Sequence, residues 1–440
     1  MTTVVHSSSP ADLLDIESEF GAAELEVRDR VREFTDRRIR PNIARWFADA
    51  VFPREIVPEL GELGLLGMHL DGYGCAGRSA VEYGLACQEL EAGDSGIRTF
   101  VSVQGSLVMS AIHKHGSAAQ KEEWLPRLAR GEAIGCFGLT EPGAGSNPAS
   151  MTTRARRDGG EWVIDGAKRW IGLASIADVA VIWAKVSDDD TGAVSDGGEV
   201  PDAGAVPDGA ADARLDGSVG SDARPAEIAG RGRVRERVRG FLVPTSSPGF
   251  TATPIEPKLS MRASIQCDVA LDGVRVPEDA ILPENPGLRG PFACLDEARY
   301  GIVWGSVGAA RDAFEAALAY AGERVQFGVP VASHQLTQEK LVNMALEISK
   351  AQLLALRIGR LKDAGRLEAH MVSAGKLNNA RTAIEVCRTA RTVLGGNGVT
   401  LDHSPLRHAN NLESVRTYEG TDEVHTLILG RHLTGLQAFR

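Results

Sequence analysis

Aromatic residues make up only 5% of the 440 positions, and the six cysteines (Cys75, Cys87, Cys136, Cys267, Cys294, Cys387) form no Cys-x-x-Cys pair. Such scattered cysteines exclude a disulfide framework and a thiolate zinc site. They read instead as small buried hydrophobes of a reducing compartment. The ten histidines also lack ligand spacing, so no metal is expected. Positive charge is scarce: 48 Lys and Arg stand against 59 Asp and Glu, a net charge of -11. Nucleic acid and anionic membrane surfaces call for the opposite balance, so neither is expected as a partner. No apolar run reaches the ~20 residues that span a bilayer. The opening "MTTVVHSSSPADLLDIESEF" has no signal-peptide core, and its acids disfavour a mitochondrial presequence; "QAFR" at the other end is no peroxisomal tripeptide. A cytoplasmic protein is expected. No G-x-G-x-x-G opens a βαβ unit, which excludes the Rossmann fingerprint.

What is present is an ordinary globular composition, 43% hydrophobic and 24% charged, in a chain long enough for two or three cores. From about residue 24 to 130 the apolar spacing is helical, as in "LEVRDRVREFTDRRI" and "SAVEYGLACQEL". From 136 to about 277 the period shortens towards two. "EWVIDGAKRWI", "VAVIWAKV", "RGFLVP", "FTATPI" and "CDVALDGVRV" read as strands, with Asp165-Gly166 and Asp272-Gly273 as turns. Helices return from Phe292. There Leu341, Met344, Ile348, Ala351, Ala355 and Ile358 form one stripe. The order predicts an α+β protein: a helical domain at 1–135, a middle antiparallel β domain at 136–284, and a helical domain at 285–440. Residues 188–239 break the β pattern, being rich in Gly, Asp, Ala and Pro. They read as a disordered insert between two strands, ending in a solvated basic run, "RGRVRERVRG".

Five stretches carry possible chemistry, and each also has a plain structural reading. Glu419 in "RTYEGTDEVHTLILGR" stands before a helix, where a carboxylate favours the helix dipole or serves as a base, with Gly420 allowing close backbone approach. Gly143, Gly145 and Ser146 in "CFGLTEPGAGSNPASM" expose backbone to a flat or phosphorylated ligand, or merely turn. Gly395-Gly396 in "VLGGNGV" ends a helix or lets a partner pack close. Arg98 leads into an uncharged run and must meet either an anion or a structural partner such as Glu91. "ERVQFGVPV" ends a helix at Gly328-x-Pro330.

Taken together, "FGLTEPGAGS", "KRWI", "ERVQFGVP", "LGGNG" and "YEGT" stand in the order and spacing of the acyl-CoA dehydrogenases, and the chain resembles that family along its whole length apart from the insert. Within the family, "ELEAGDSGIRTFVSVQGSLVM", "LDEARYGIVWG" and "NLESVRTYEGTDEVHTLILGRHLTGLQAF" are similar to the glutaryl-CoA dehydrogenase branch. The resemblance implies an FAD enzyme with a four-helix-bundle-like C-terminal domain. Such an enzyme takes an acyl-CoA, passes electrons to an electron-transferring flavoprotein and assembles as a homotetramer.

It also implies roles. Glu419 removes the α-proton of the thioester; relatives that carry the base elsewhere place it just before the equivalent of Arg299, where this chain has Ala298. Arg98 pairs with a carboxylate at the far end of the acyl chain, with Glu91, Thr99 and Tyr418 beside it. Asp296, Arg299 and Ser146 fall along the CoA path. Phe137, Leu139, Thr140, Trp170, Gly172 and Thr421 match FAD contacts, and Arg324, Phe327, Gln335, Gly395 and Gly396 match residues that reach a neighbouring subunit's FAD. Gly172, in "WIGLAS", stands where the family usually has a threonine that hydrogen-bonds near flavin N5. In the glutaryl branch, oxidation is followed by loss of CO2 to give crotonyl-CoA. Two rivals are a dehydrogenase of another dicarboxylic or bulky acyl-CoA in secondary metabolism, and a non-catalytic flavin- or CoA-binding scaffold.

Overall fold

A computed structural model describes residues 9–187, 236–285 and 287–438. Seven helices come first: α1 (Ala22–Phe34), α2 (Arg40–Asp49), α3 (Val57–Glu62), α4 (Ala80–Gly93), α5 (Ser95–Ser102), α6 (Ser110–His115) and α7 (Ala118–Ala129). Seven strands of one sheet follow: β1 (Gly135–Gly138), β2 (Arg154–Asp158), β3 (Glu161–Gly172), β4 (Val179–Ser187), β5 (Glu236–Pro244), β6 (Phe250–Pro254) and β7 (Gln266–Pro277). Then come α8 (Arg289–Glu323), a short hairpin of β8 (Val325–Gln326) and β9 (Val329–Pro330), α9 (Gln335–Asp363), α10 (Ala369–Val393), α11 (Ser404–Val415) and α12 (Asp422–Thr434). The expected α–β–α order and α+β class hold. Among the described residues, no helix is long and apolar enough to cross a membrane.

Two buried helices organise the helical parts. α4 opens on a capping box, in which Ser79 accepts from Glu82 N and Glu82 accepts from Ser79 N. Every residue of α4 from Ala80 to Gly93 is buried, as expected of a helix packed on all sides. α8 is 35 residues long, about 52 Å, and is buried without a break from Tyr300 to Phe314. Glycines let the two approach. A Cβ added at Gly308 would lie 1.9 Å from Gln88 O, and one at Gly305 would lie 2.0 Å from Glu91 Oε2. The expected stripe on α9 is the buried one: Leu341, Met344, Ile348, Ala351, Ala355 and Ile358 all face the core.

The β part corrects four expectations. First, the sheet, ordered β1-β4-β2-β3-β7-β6 with β5 also on β4, is mixed. β1 runs parallel to β4, because the β2–β3 hairpin is inserted between them in the chain. Second, neither Asp-Gly pair is a turn. Both sit inside strands β3 and β7, facing each other across a register shift between Ile164 and Gly166, where Asp165 Oδ1 accepts from Gly273 N at 2.7 Å. A bulge and a hairpin turn demand the same glycine freedom, so composition cannot tell them apart. Third, residues 236–239 belong to β5. Its first residue, Glu236, pairs with Ser187 at the end of β4, so the two strands flanking the expected insert are direct neighbours. The rest of that insert, 188–235, lies outside the described residues. Fourth, α8 stops at Glu323. "VQFGVP" forms the hairpin, with Phe327 (φ 55) and Gly328 (φ 82) as its left-handed turn.

Candidate active site

α11 ends at Val415, and α12 starts at Asp422 with Thr421 as N-cap, its Oγ1 accepting from Val424 N at 3.3 Å. Between them the chain makes a left-handed turn through Glu419 (φ 55) and Gly420 (φ 97). Positive φ at a glutamate is uncommon and needs surrounding structure to hold it. Only glycine fits next: a Cβ at residue 420 would lie 2.8 Å from the Nε2 of buried His425.

Cations from two helices hold this turn. Lys376 of α10 donates from Nζ to Tyr418 O at 2.6 Å and also to Gly420 O. Arg299 of α8 donates from Nε to Glu419 O at 2.9 Å, while its Nη1 meets Asp296 Oδ1 at 2.8 Å. The Glu419 carboxylate stands apart from all these bonds, its Oε2 buried without a hydrogen-bond partner. Burial pushes that carboxyl up. Arg98, Lys376 and Arg299 pull it down, and the net shift is upward. A carboxylate so desolvated is a stronger base than one in water.

Beside the turn sits a buried ion pair. Arg98 of α5 donates from Nε to Glu91 Oε2 of α4 at 2.6 Å, and from Nη2 to the Tyr418 hydroxyl at 2.6 Å. Thr99 Oγ1 lies 3.1 Å from the same hydroxyl. Arg98 therefore has the structural partner weighed for it, yet Nη1 is buried with no partner, as is Glu91 Oε1. Burial opposes the guanidinium charge, but Glu91 and then Tyr418 outweigh it and keep Arg98 protonated. Burial likewise pushes the Tyr418 hydroxyl up to about 12. The result is a charged fork with its Nη1 unspent, joined to Tyr418, the residue before Glu419.

The other expected residues fall in two places. Phe137, Leu139 and Thr140 run off β1 beside the end of β3, since Arg169 N donates to Thr140 O at 2.9 Å. There Trp170, left-handed (φ 64) at a strand irregularity, stays 54% exposed, and Gly143 and Gly145 have open space where a Cβ would be. An exposed ring at a rim of open backbone fits a flat cofactor. A Cβ at Gly172 would meet only Val103 Cγ2, at 3.5 Å, so packing does not demand glycine there. Val103 N donates to Thr99 O, one helical turn away on the same face. This rim thus stands one turn from the residue that touches Tyr418. Arg324, Phe327, Gln335, Gly395 and Gly396 form the second group and are exposed, Phe327 to 95%. Asn397 Nδ2 donates to Tyr320 OH at 3.1 Å, tying the Gly395 turn to the end of α8. Ser146 is exposed at the Gly-rich loop.

Lys376, His425 and Gly305 escaped the sequence reading. A lone lysine in "HMVSAGKLNNARTAI" and a histidine in α12 look like any helical polar residues.

Known proteins share the sequence pattern and fold of this chain. Family models described as "Acyl-CoA dehydrogenase, N-terminal domain", "middle domain" and "C-terminal domain" match residues 22–132, 136–202 and 285–434. The human mitochondrial short-chain specific acyl-CoA dehydrogenase is 31% identical over 93% of this chain and 89% of its own length. A glutaryl-CoA dehydrogenase from Mycobacterium smegmatis, solved in complex with FADH2, is 50% identical with a TM-score of 0.86, covering 99% of this chain and 100% of that one. Butyryl-CoA dehydrogenase from Megasphaera elsdenii is 25% identical with a TM-score of 0.80, over 94% and 98%.

Proposed function

This chain belongs to the acyl-CoA dehydrogenase family of oxidoreductases, and from that premise we propose that it is an FAD-dependent glutaryl-CoA dehydrogenase, giving crotonyl-CoA and CO2. The observation that carries the substrate class is the unspent, buried Nη1 of Arg98, linked through Tyr418 to Glu419. A terminal carboxylate would complete that fork.

The cofactor would rest on the rim of Phe137, Leu139, Thr140, Trp170 and Gly172, with Thr421 nearby. FAD, when bound, supplies the acceptor for the hydride leaving Cβ. Glu419 takes the α-proton, and the proton affinity that burial raises makes it a stronger base than an exposed carboxylate. The Glu419 backbone N–H donates to the thioester oxygen as negative charge builds there. Arg98 orients the acyl chain by its far carboxylate. After CO2 departs, protonated Glu419 returns its proton to the shortened chain. Asp296, Arg299 and Ser146 line the CoA path.

Exposed apolar residues on α9 (Leu336, Val342, Leu346, Leu353) and at Phe327 support a homotetramer. In it, Arg324, Phe327, Gln335, Gly395 and Gly396 would reach a neighbour's FAD. An electron-transferring flavoprotein is the proposed acceptor, and the cytoplasm the proposed compartment. Anaerobic mixing with glutaryl-CoA tests the reading: the flavin absorbance should bleach, with CO2 and crotonyl-CoA formed on turnover. Bleaching by butyryl-CoA and none by glutaryl-CoA would overturn it in favour of a short-chain enzyme.

A further inference from the structure

Lys376 is 1% exposed, deep in α10, and both of its hydrogen bonds go to backbone carbonyls rather than to a carboxylate. An ammonium taken out of water is costly unless its surroundings repay it. The carbonyls it holds, of Tyr418 and Gly420, flank Glu419, and Arg299 takes the carbonyl between them. Three consecutive carbonyls are thus tied to two cations. In a trans peptide the N–H points opposite to the preceding C=O. With the Tyr418 carbonyl turned onto Lys376, the Glu419 N–H must face the other way.

We infer that Lys376 is a positioning residue: its ammonium, by holding the Tyr418 and Gly420 carbonyls, keeps residue 419 left-handed and aims both the Glu419 carboxylate and the Glu419 N–H at the thioester. The inference rests on Glu419 being the base. A lysine needed only for packing would gain nothing from two carbonyls that bracket one strained residue.

Electrostatics also link the lysine to the base. Facing it are Glu419 and the Tyr418 ring in the turn, Arg299 on α8, Arg98 on α5 and Asp422 on α12. Burial first, with help from Arg299 and Arg98, pushes the ammonium down to about 7, against Glu419 and Asp422. Around Glu419 stand Arg98, Lys376, Arg299 and Glu91, and the lysine's charge pulls the carboxyl down. Removing that charge should therefore raise the pH at which the base becomes active.

The test follows exchange of the α-hydrogens of butyryl-CoA with D2O, read by mass spectrometry on FAD-loaded holoenzyme without electron acceptor. Exchange needs only that Glu419 takes a proton and returns a deuteron, so it does not depend on the glutaryl assignment. Lys376→Met should lower exchange ~10²-fold, the scale of a misplaced general base. The butyryl-CoA Kd should stay within threefold, and the acid limb of the exchange profile should move to higher pH. A folded Lys376→Met protein, with wild-type FAD content and Tm, that exchanges within threefold of wild type overturns the inference. If that variant does not fold, Lys376→Arg decides. It keeps a buried cation, but its longer, planar guanidinium carries the donors to other positions than the single lysine nitrogen and so displaces the two carbonyls. Exchange at least tenfold slower at unchanged Kd supports the inference, and wild-type exchange overturns it. Glu419→Gln serves as the control for the premise: exchange surviving in that variant would sink the base assignment itself, separately from the lysine.

Discussion

The Arg98 guanidinium donates to the Tyr418 hydroxyl at 2.6 Å across 320 positions of sequence, so the residue that would grip the end of an acyl chain is wired to the neighbour of the base. On the proposed reading the group that recognises the acyl end is bonded to the residue next to the base, and changes at one end should be felt at the other.

Arg98→Met should lower kcat/KM for glutaryl-CoA at least ~10²-fold more than for butyryl-CoA, about 3 kcal/mol of discrimination. A carboxylate entering an apolar pocket unpartnered is penalised, whereas a methyl end is not. An equal loss with both substrates would assign Arg98 to Glu91 alone.

Glu419→Gln should keep FAD and acyl-CoA binding yet lose 10²–10⁴-fold, roughly, in flavin reduction. In wild type, reduction requires the ionised carboxylate, whose proton affinity is raised by burial. Activity should therefore climb with pH along a limb above the ordinary carboxylate range. Stopped-flow reduction across pH checks both points, and a limb at or below pH 4.5 would contradict the buried-base account.

Gly305→Ala places a methyl 2.0 Å from Glu91 Oε2 and 3.1 Å from Arg98 Nε. Backbone on both sides is buried helix, so the ion pair must yield. Overpacking of this kind costs about 1–3 kcal/mol, visible as a lower Tm. The glutaryl-to-butyryl preference should fall by roughly tenfold or more as Arg98 loses its seat. Unchanged preference would show that the pair tolerates displacement.

Acid should unfold the protein through its buried carboxylates. Burial raises the carboxyl of Glu89, but Arg311 and then Arg32 outweigh it and hold it down to about 2; Glu297 is held at about 2 against burial by Lys362, His69 and Lys114. Both folded values lie below the unfolded 4.5, so this stability is complete above pH 4.5 and drains away as pH falls towards 2. Glu89→Gln should lower Tm at pH 7, since buried Arg311 loses its close carboxylate and keeps Glu315 at 3.8 Å, at a cost of up to about 3–5 kcal/mol. Its Tm should also fall less steeply between pH 4.5 and 2 than that of the wild type.

Much of this was legible in the chain because it is local. The α9 stripe from Leu341 to Ile358 follows the helical period, and a Tyr-Glu-Gly-Thr turn before a capped helix needs no distant partner to be seen. Glycine and aspartate determined less. At Asp165-Gly166 and Asp272-Gly273 the same backbone freedom served a bulge rather than a turn, because the choice depends on which strand lies opposite. The site's electrostatics were decided in three dimensions. Glu91 and Arg98 are close in sequence, yet they sit on different helices, and their pairing depends on Gly305 of a third. Lys376 reaches the Glu419 turn from 42 and 44 positions away, and nothing in its neighbours marks it. The sequence by itself determined which residue types the reaction has at hand. Only tertiary packing removed water from Glu419, Arg98 and Lys376 together, and it is the loss of that screening that turns three ordinary charges into one coupled site.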